Sequence, residues 1–388
     1  MLKALAVANY RSLREVSLGL GRLTVVTGPN GSGKSNLYRA LRLLAAAGKG
    51  EIVGQLAREG GLPSTLWAGP ETIGSAMRSG RHPVQGTVRK HPVALKLGFA
   101  ADDFGYSIEL GLPEKSDAPS GFELDPQIKR ECIWAGEVFR PVKLLVDRRG
   151  PALRTLDDSG RWQMSPDMLP TFESMMTEYV DPRAAPEMVM MRARLRSWRF
   201  YDHFRTDLDA PARRPQIGTH TPILADDGAD LAAALQTIRI IGDAAGLEEA
   251  IDDAFPGSRI EIASEAARFE LRLRQPGMLR PLGVAELSDG TLRYLLLTAA
   301  LLSPRPPELL VLNEPETSLH PDLVPALARL IGRASETAQV IVVTHSPSLI
   351  AHLDAETDPT RIRLDKDLGE TTTGDDLLSR PSWAWPPR

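Results

Sequence analysis

Eight consecutive residues, Gly28-Pro29-Asn30-Gly31-Ser32-Gly33-Lys34-Ser35, fit the pattern G-x-x-x-x-G-K-[ST]. Glycines in such a run let successive backbone N–H groups turn inward around a phosphate, and the N-terminus of a following helix adds its positive end. Lys34 would reach the β- and γ-phosphates of a nucleotide, and Ser35 would ligate Mg2+. The bland reading is an ordinary glycine-rich turn. The flanks argue against it. The apolar, β-branched run 23–27 predicts a buried strand before the loop. After it, Leu37, Ala40, Leu41 and Leu44 fall at helical spacing within 36–47.

Three more stretches could complete a reaction centre. Leu309-Leu310-Val311-Leu312-Asn313-Glu314-Pro315 is an apolar run ending in polar groups, which a parallel sheet delivers to its C-terminal edge. Glu314 could there polarise an attacking water, although alone it would as readily cap the next turn. Leu287-Ser288-Asp289-Gly290-Thr291 lies just before a predicted helix at 291–302, and by itself is an ordinary helix cap. His345 follows the apolar run 340–344, from whose end a histidine can reach a γ-phosphate. Lys34 and Asn313 are separated by 279 residues, a longer insertion than a compact GTPase fold would usually hold.

The elements that must position these residues are of two kinds. Strands are expected at 2–8, 16–20 and 23–27, with antiparallel partners at 93–99, 106–112 and 122–134. The last third runs helix 291–302, strand 309–312, helix 323–334, strand 340–344, the order of a parallel sheet with right-handed crossovers. Between them, 48–86 reads as loop with short helical pieces and 210–222 as a Pro-rich connector. A helix at 229–255, interrupted near 242–246, and a strand pair at 260–273 follow, while residues beyond Leu364 read as weakly ordered. The expected division is an N-terminal lobe at 1–160, a helical insert at 161–225 and a C-terminal lobe at 226–388.

In this order the four stretches resemble the ATP-binding-cassette ATPase superfamily, and more closely its SMC/RecF/Rad50-like branch of bacterial AAA-type ATPases. The likeness is carried by Asn9-Tyr10-Arg11-Ser12-Leu13, by residues 287–291, by Asn313-Glu314-Pro315-Glu316-Thr317-Ser318-Leu319-His320-Pro321 and by Thr344-His345-Ser346-Pro347. In the middle only Trp198-Arg199-Phe200-Tyr201 and Asp227-Gly228-Ala229-Asp230-Leu231 look familiar. The resemblance implies an α/β, ABC/SMC-like P-loop ATPase head with a mixed sheet, an antiparallel β layer and a helical lid insert. It implies an ATP-dependent homodimer with two ATP molecules between protomers. Asn30, Gly31, Ser32, Gly33, Lys34, Ser35 and Asn36 of one chain would face Ser288, Asp289 and Gly290 of the other. Arg11 would be a further phosphate contact. Ser35 and Asn313 would serve Mg2+, Glu314 and His345 would be catalytic, and 316–320 would form a crossing loop beside the dimer axis.

The chain departs from that pattern in three places. The acidic strand usually ends Asp-Glu, and here it ends Asn313-Glu314; an amide accepts a hydrogen bond from a metal-bound water but carries no charge. The glutamine that usually senses Mg2+ has no clear counterpart, Gln55 and Gln127 being weak candidates. No coiled-coil arm or zinc-hook cysteine pair is present, and no nuclease module of the kind attached to related overcoming-lysogenisation-defect proteins is expected after His345.

Composition narrows the function classes. The 388 residues are 42% hydrophobic and 25% charged, which excludes a mainly disordered or fibrous chain. With 46 basic and 50 acidic residues, net charge −4, any nucleic-acid or membrane contact must be a local patch. Cys132 is the only cysteine, so no internal disulfide or Cys-based zinc site can form, and a reducing cytoplasm fits. The N-terminus lacks a secretory pattern, and no run of about 18 apolar residues predicts a membrane span.

One local patch is a candidate. Seven of the ten methionines lie between Met164 and Met191, followed by Arg192, Arg194, Arg196 and Arg199 beside Trp198, Phe200 and Tyr201. Two or three helices, broken at Pro182 and Pro186, are expected there. The bland reading is a lid whose methionines fill its core. The sharper one is a docking surface for nucleic acid or a partner protein, such as a nuclease.

The leading expectation is therefore an ATPase, slowed by the uncharged Asn313, whose nucleotide-driven dimerisation controls a nucleic-acid-related process such as DNA repair or phage defence. The alternative is a slow nucleotide-gated protein-interaction switch, which Asn313 favours. A transporter's energising subunit and a metabolic kinase lack their accompanying motifs. On the sequence alone, Asn313→Asp is expected to hydrolyse ATP at least as fast as the parent in a phosphate-release assay; a large loss would refute that reading.

Overall fold

The computed structural model describes residues 1–71, 73–79, 81–82, 93–114, 121–179, 181–374 and 381–387. Residues 72, 80 and 83–86 of the expected loop lie outside these. The chain packs as two units, Met1–Gly21 with Thr27–Trp198 and Ile362–Arg388, and Arg22–Val26 with Arg199–Arg361. This replaces the three consecutive lobes expected from sequence. Pairing with Gln339–Val343 draws 22–26 into the second unit, 199–225 packs there too, and 362–388 returns to the first unit.

In the first unit, Leu2–Tyr10 and Leu13–Gly19 pair antiparallel, with Val7 opposite Val16 and Leu5 opposite Leu18. Leu95–Ala101 adds to the other edge of Leu2–Tyr10, followed by Phe104–Gly111 and Gln127–Ala135. Three strands that the sequence reading missed, Leu144–Arg149, Ala152–Leu156 and Trp162–Met164, complete an eight-stranded sheet. Their polarity hid them, since Arg148, Arg149 and Arg154 stand where an apolar alternation would signal a strand. The helix Lys34–Ala47 buries Leu37, Tyr38, Leu41 and Leu44. Gly48 follows it where a Cβ would lie 2.6 Å from Leu195 Cβ, so glycine permits close approach of the helix Pro186–Ser197.

Of the two or three helices expected in the insert, the described residues hold two, Met175–Glu178 and Pro186–Ser197, both inside the first unit. Met175, Met176, Met188 and Met191 are buried, as a lid core requires, whereas Met164, Met168 and Met190 are exposed. Arg199–Tyr201 is a strand of the second unit rather than helix. The tail is also more ordered than expected. Thr360–Asp367 and Glu370–Thr373 form a hairpin. Trp383 stacks edge-on against Trp134 at 5.7 Å, in the space left by the missing side chain of Gly98.

A buried ion pair pins the start of the insert to the sheet. Glu131 and Arg148 are both fully buried, 3.4 Å apart. Glu131 also accepts from Tyr106 Oη at 2.7 Å, Ser174 Oγ at 2.5 Å and the Met175 amide at 2.9 Å. Arg148 donates to the carbonyls of Gly150, Pro170 and Glu173. Cys132 lies in the same sheet, and burial pushes its thiol up to about 12, consistent with an inert core residue.

The second unit carries the expected parallel strands, in the order Arg199–Tyr201, Leu309–Asn313, Gln339–Val343, Leu23–Thr27. Their β-branched and leucine side chains are buried, and the helices Leu231–Ile241, Asp289–Leu301 and Val324–Thr337 supply much of the surrounding core. Ala244–Ala254 and Pro347–Glu356 complete the helices, the second unforeseen in the sequence reading. A smaller antiparallel sheet pairs Arg259–Glu265 with Arg268–Arg274, flanked by Gln216–Ile217 and Leu282–Gly283.

Arg148→Met strands the Glu131 carboxylate without its charge partner. It is expected to cost about 3–5 kcal/mol in denaturant unfolding, and Glu131→Gln in the same chain is expected to recover part of that loss.

Candidate functional site

The glycine-rich loop belongs to the first unit. Gly28, Gly31 and Gly33 have φ of 148°, 79° and 109°, a region that side chains disfavour. Space is the second constraint: a Cβ on Gly28 would meet the Leu364 carbonyl at 2.2 Å, and one on Gly33 would meet Thr371 Oγ1 at 2.2 Å. The helix Lys34–Ala47 then starts with no side chain capping its first amides and no acidic residue in its first turn. Lys34 Nζ folds back onto the carbonyls of Gly28 at 2.6 Å and Pro29 at 3.1 Å. Ser32 Oγ is buried without a hydrogen-bond partner. An uncapped helix start, an orphaned hydroxyl and a lysine curled over the loop together fit an anion such as a nucleotide phosphate. Asn30, Gly31 and Ser35 are exposed at its mouth.

Two features here were not read from sequence. Thr371, in the C-terminal hairpin, donates to the Ser32 carbonyl at 2.8 Å and shares a hydrogen bond with Ser12 Oγ at 2.7 Å. Ser12 in turn accepts from Asn36 Nδ2 at 2.9 Å. Asn36 thus braces the loop from behind. Arg11 is held by Glu59, 2.7 Å from Nη2, which Tyr10 Oη also joins at 2.7 Å. The expected phosphate contact is thus engaged in an ion pair, in a left-handed backbone with φ of 49°.

In the second unit, Glu314 follows Leu309–Asn313 in a left-handed conformation, φ 48°, its amide donating to the Val343 carbonyl at 2.7 Å. That turn aims its carboxylate at His345, with 3.2 Å from Oε1 to Nδ1. Both side chains are open to solvent. Thr344 Oγ1 donates to Glu316. Beneath them lies Arg293, only 1% exposed, on the helix Asp289–Leu301. Its Nη2 donates to the carbonyls of Asp202 and Glu314, each at 3.3 Å, and its Nη1 faces His203 Nδ1 at 3.1 Å. Burial holds this guanidinium below its ordinary value. Asn313 donates from Nδ2 to Asp202 Oδ1 at 2.8 Å. Neither Arg293 nor Asp202 was singled out from sequence, because each is legible only once the strand order is known.

The Ser288 turn is exposed, and Ser288 Oγ accepts from the Thr291 amide at 3.1 Å as the helix cap. Asp289 pairs with Arg213 at 2.9 Å; Arg213 also donates to the carbonyls of Val284 and Leu287. A Cβ on Gly290 would lie 3.1 Å from the Ser318 carbonyl, so the expected crossing loop packs beside this turn. Two members of the arginine-rich patch are engaged inside the first unit. Arg194 is bidentate to Asp103 at 2.8 Å, and Trp198 is buried 5.1 Å from Phe99. Gln127 accepts from Lys129 at 3.1 Å, and Gln55 lies in the short helix Ile52–Arg58.

Residues 23–351 match the family model described as AAA domain, putative AbiEii toxin, Type IV TA system. The chain belongs to that family. Its fold is that of a P-loop ATPase of the SMC/Rad50 kind. An SMC head bound to the C-terminal winged-helix domain of ScpA aligns over 96% of this chain and 97% of its own, at 13% identity and a TM-score of 0.51. The SMC head domain from Thermotoga maritima aligns over 96% of this chain and 97% of its own at 16% identity, with a TM-score of 0.43. A 44-residue stretch is 50% identical to the OLD nuclease of Thermus scotoductus, covering 11% of this chain and 8% of that protein.

The uncapped helix start and the unpartnered Ser32 Oγ give the loop at 28–35 a geometry that fits a phosphate. No helix among the described residues is long and apolar enough to cross a membrane. Thr371→Val removes both hydrogen bonds behind the loop at about 1 kcal/mol each. It is expected to weaken binding of a fluorescent ATP analogue about five- to tenfold by titration, with the fold retained by circular dichroism.

Proposed function

We propose that this chain binds ATP with Mg2+ and hydrolyses it. The observation that carries the reading is the uncapped, glycine-built start of the helix Lys34–Ala47, with Ser32 Oγ left unpartnered inside it. Asn30, Gly31, Ser32, Gly33, Lys34 and Ser35 would hold the phosphates, and Ser35 and Asn313 would serve Mg2+. Bound Mg2+–ATP supplies the scissile phosphoanhydride. Glu314 takes a proton from the attacking water, and His345, within hydrogen-bond distance of its carboxylate, orients that carboxylate. The strain at Glu314 supports a functional position, since a left-handed glutamate is kept only where the surroundings enforce it.

The same reading makes the protein an ATP-dependent homodimer. The support is the family resemblance, which sets the exposed Ser288 and Asp289 of one chain against the triphosphate held by another. The nucleic-acid-related role, in repair or phage defence, draws support from the short match to an OLD nuclease, as does a partner nuclease or other protein. A cytoplasmic location fits the buried, unpaired Cys132. A second reading, a nucleotide-gated switch with little turnover, is favoured by the uncharged Asn313.

Phosphate release and molar mass, measured together with and without Mg2+–ATP and duplex DNA, separate these. The expected outcome is a mass near twice the monomer with ATP in Glu314→Gln, and turnover reduced at least a hundredfold from the parent. Dimerisation without turnover in the parent selects the switch. A monomer with no turnover in every condition removes both.

A further inference from the structure

The first unit contains a cavity that the nucleotide reading does not use. It holds about 330 Å3, the small end of the range for ligand pockets. The strands Ala152–Leu156 and Trp162–Met164 line one side and the start of the helix Pro186–Ser197 the other. Leu145, Leu156 and Met164 give it an apolar wall. Asp157, Asp158 and Glu187 bring carboxylates to it, against the single guanidinium of Arg183. Asp157 is already engaged: it accepts from Ser159 Oγ at 2.6 Å, the Arg161 amide at 2.9 Å and Gln163 Nε2 at 2.8 Å, and so shapes the turn between the two strands. Glu187 is different. It is only 9% exposed, and its Oε1 is buried with no hydrogen-bond partner. Burial first, and the Asp158 charge after it, hold the Glu187 carboxyl above its ordinary value. A buried acceptor left open is costly, so a ligand that donates to it gains more than it would at a solvated surface.

The group that this cavity lacks is a positively charged donor with an apolar stem. We propose that the cavity binds a small aliphatic amine as its ammonium cation, with an N–H donating to Glu187 Oε1, the Asp158 carboxylate adding charge, and the carbon chain lying on Leu145, Leu156 and Met164. A compact ammonium suits one open oxygen, whereas a guanidinium fork is matched by two. Among the described residues no group of three or more His, Cys, Asp or Glu side chains could hold a metal ion. Glu187 stands in the first turn of its helix, whose dipole favours the charged carboxylate that an ammonium needs. The flexible thioether of Met164 lets the wall fit chains of different length. This site lies wholly within the first unit and stands whether or not the chain hydrolyses ATP.

The test is equilibrium dialysis of the full chain against cadaverine, against a lysine capped at both ends, and against pentanol as the uncharged control, with thermal melting of each variant alongside. The parent is expected to bind cadaverine saturably at a single site. Glu187→Gln keeps the side-chain size and removes the charge, and is expected to weaken that binding at least about tenfold while melting like the parent. Asp158 is exposed, so Asp158→Asn keeps the fold and is expected to weaken binding about threefold. If Glu187→Gln melts early, Asp158→Asn decides alone. Capped lysine bound as tightly as cadaverine makes a lysine side chain of another protein the source of the ammonium; cadaverine bound alone makes it a free amine. Both results support the site. Pentanol bound as tightly as the amine overturns it, as does cadaverine displaced by an equal concentration of Mg2+. An affinity unmoved in both variants, or no binding of either amine, overturns it as well.

Discussion

A helix that starts with no capping side chain and no acidic residue in its first turn makes a demand for negative charge, and the helix Lys34–Ala47 starts that way. The chain could satisfy that demand with an aspartate or serine, as Ser288, Ser346 and Asp243 do at the starts of other helices. Instead it places Gly33 there, in a backbone conformation that disfavours side chains, and leaves Ser32 Oγ buried without a partner. The surrounding structure preserves this arrangement. Thr371 and Ser12 brace the loop through its carbonyl and through Asn36, without occupying its amides.

The second unit solves a different problem, which is how to keep polar strand ends aligned at a solvent-facing edge. Parallel strands bury their length and expose their carboxyl ends. Here one buried guanidinium, Arg293, ties two of those ends together through main-chain carbonyls. Arg293 sits on the helix that the Ser288 turn begins, so that turn and the Glu314 carbonyl are linked through one rigid helix. Removing the guanidinium would leave the Asp202 and Glu314 carbonyls short of a donor.

Much of this was legible in the residues because the physics involved is local. The glycine-rich loop, the strand before it and the helix after it follow from spacing and backbone freedom, and Leu23–Thr27 occurs with the boundaries expected. The order of helices and buried strands from Thr291 to Val343 reads directly from apolar runs. What was hidden depends on contacts between distant segments. The strands from Leu144 to Met164 carry arginines whose partners, such as Glu131 and Asp147, make sense of them only in the folded sheet. Arg11 read as a free cation because Glu59 is 48 residues away in sequence. Arg199–Tyr201 read as helix because its aromatic residues follow a helical run, and its place beside Leu309–Asn313 is set by a pairing across more than a hundred residues.

The central claim is that the loop from Gly28 to Ser35 is a triphosphate cradle. A crystal structure of the full chain grown with Mg2+ and a non-cleavable ATP analogue tests it most directly. The account predicts phosphate oxygens among the amides of Gly31 to Ser35, with Lys34 Nζ moved from the Gly28 and Pro29 carbonyls onto them. A well-ordered analogue bound elsewhere, with Lys34 still curled over an empty loop, would contradict it.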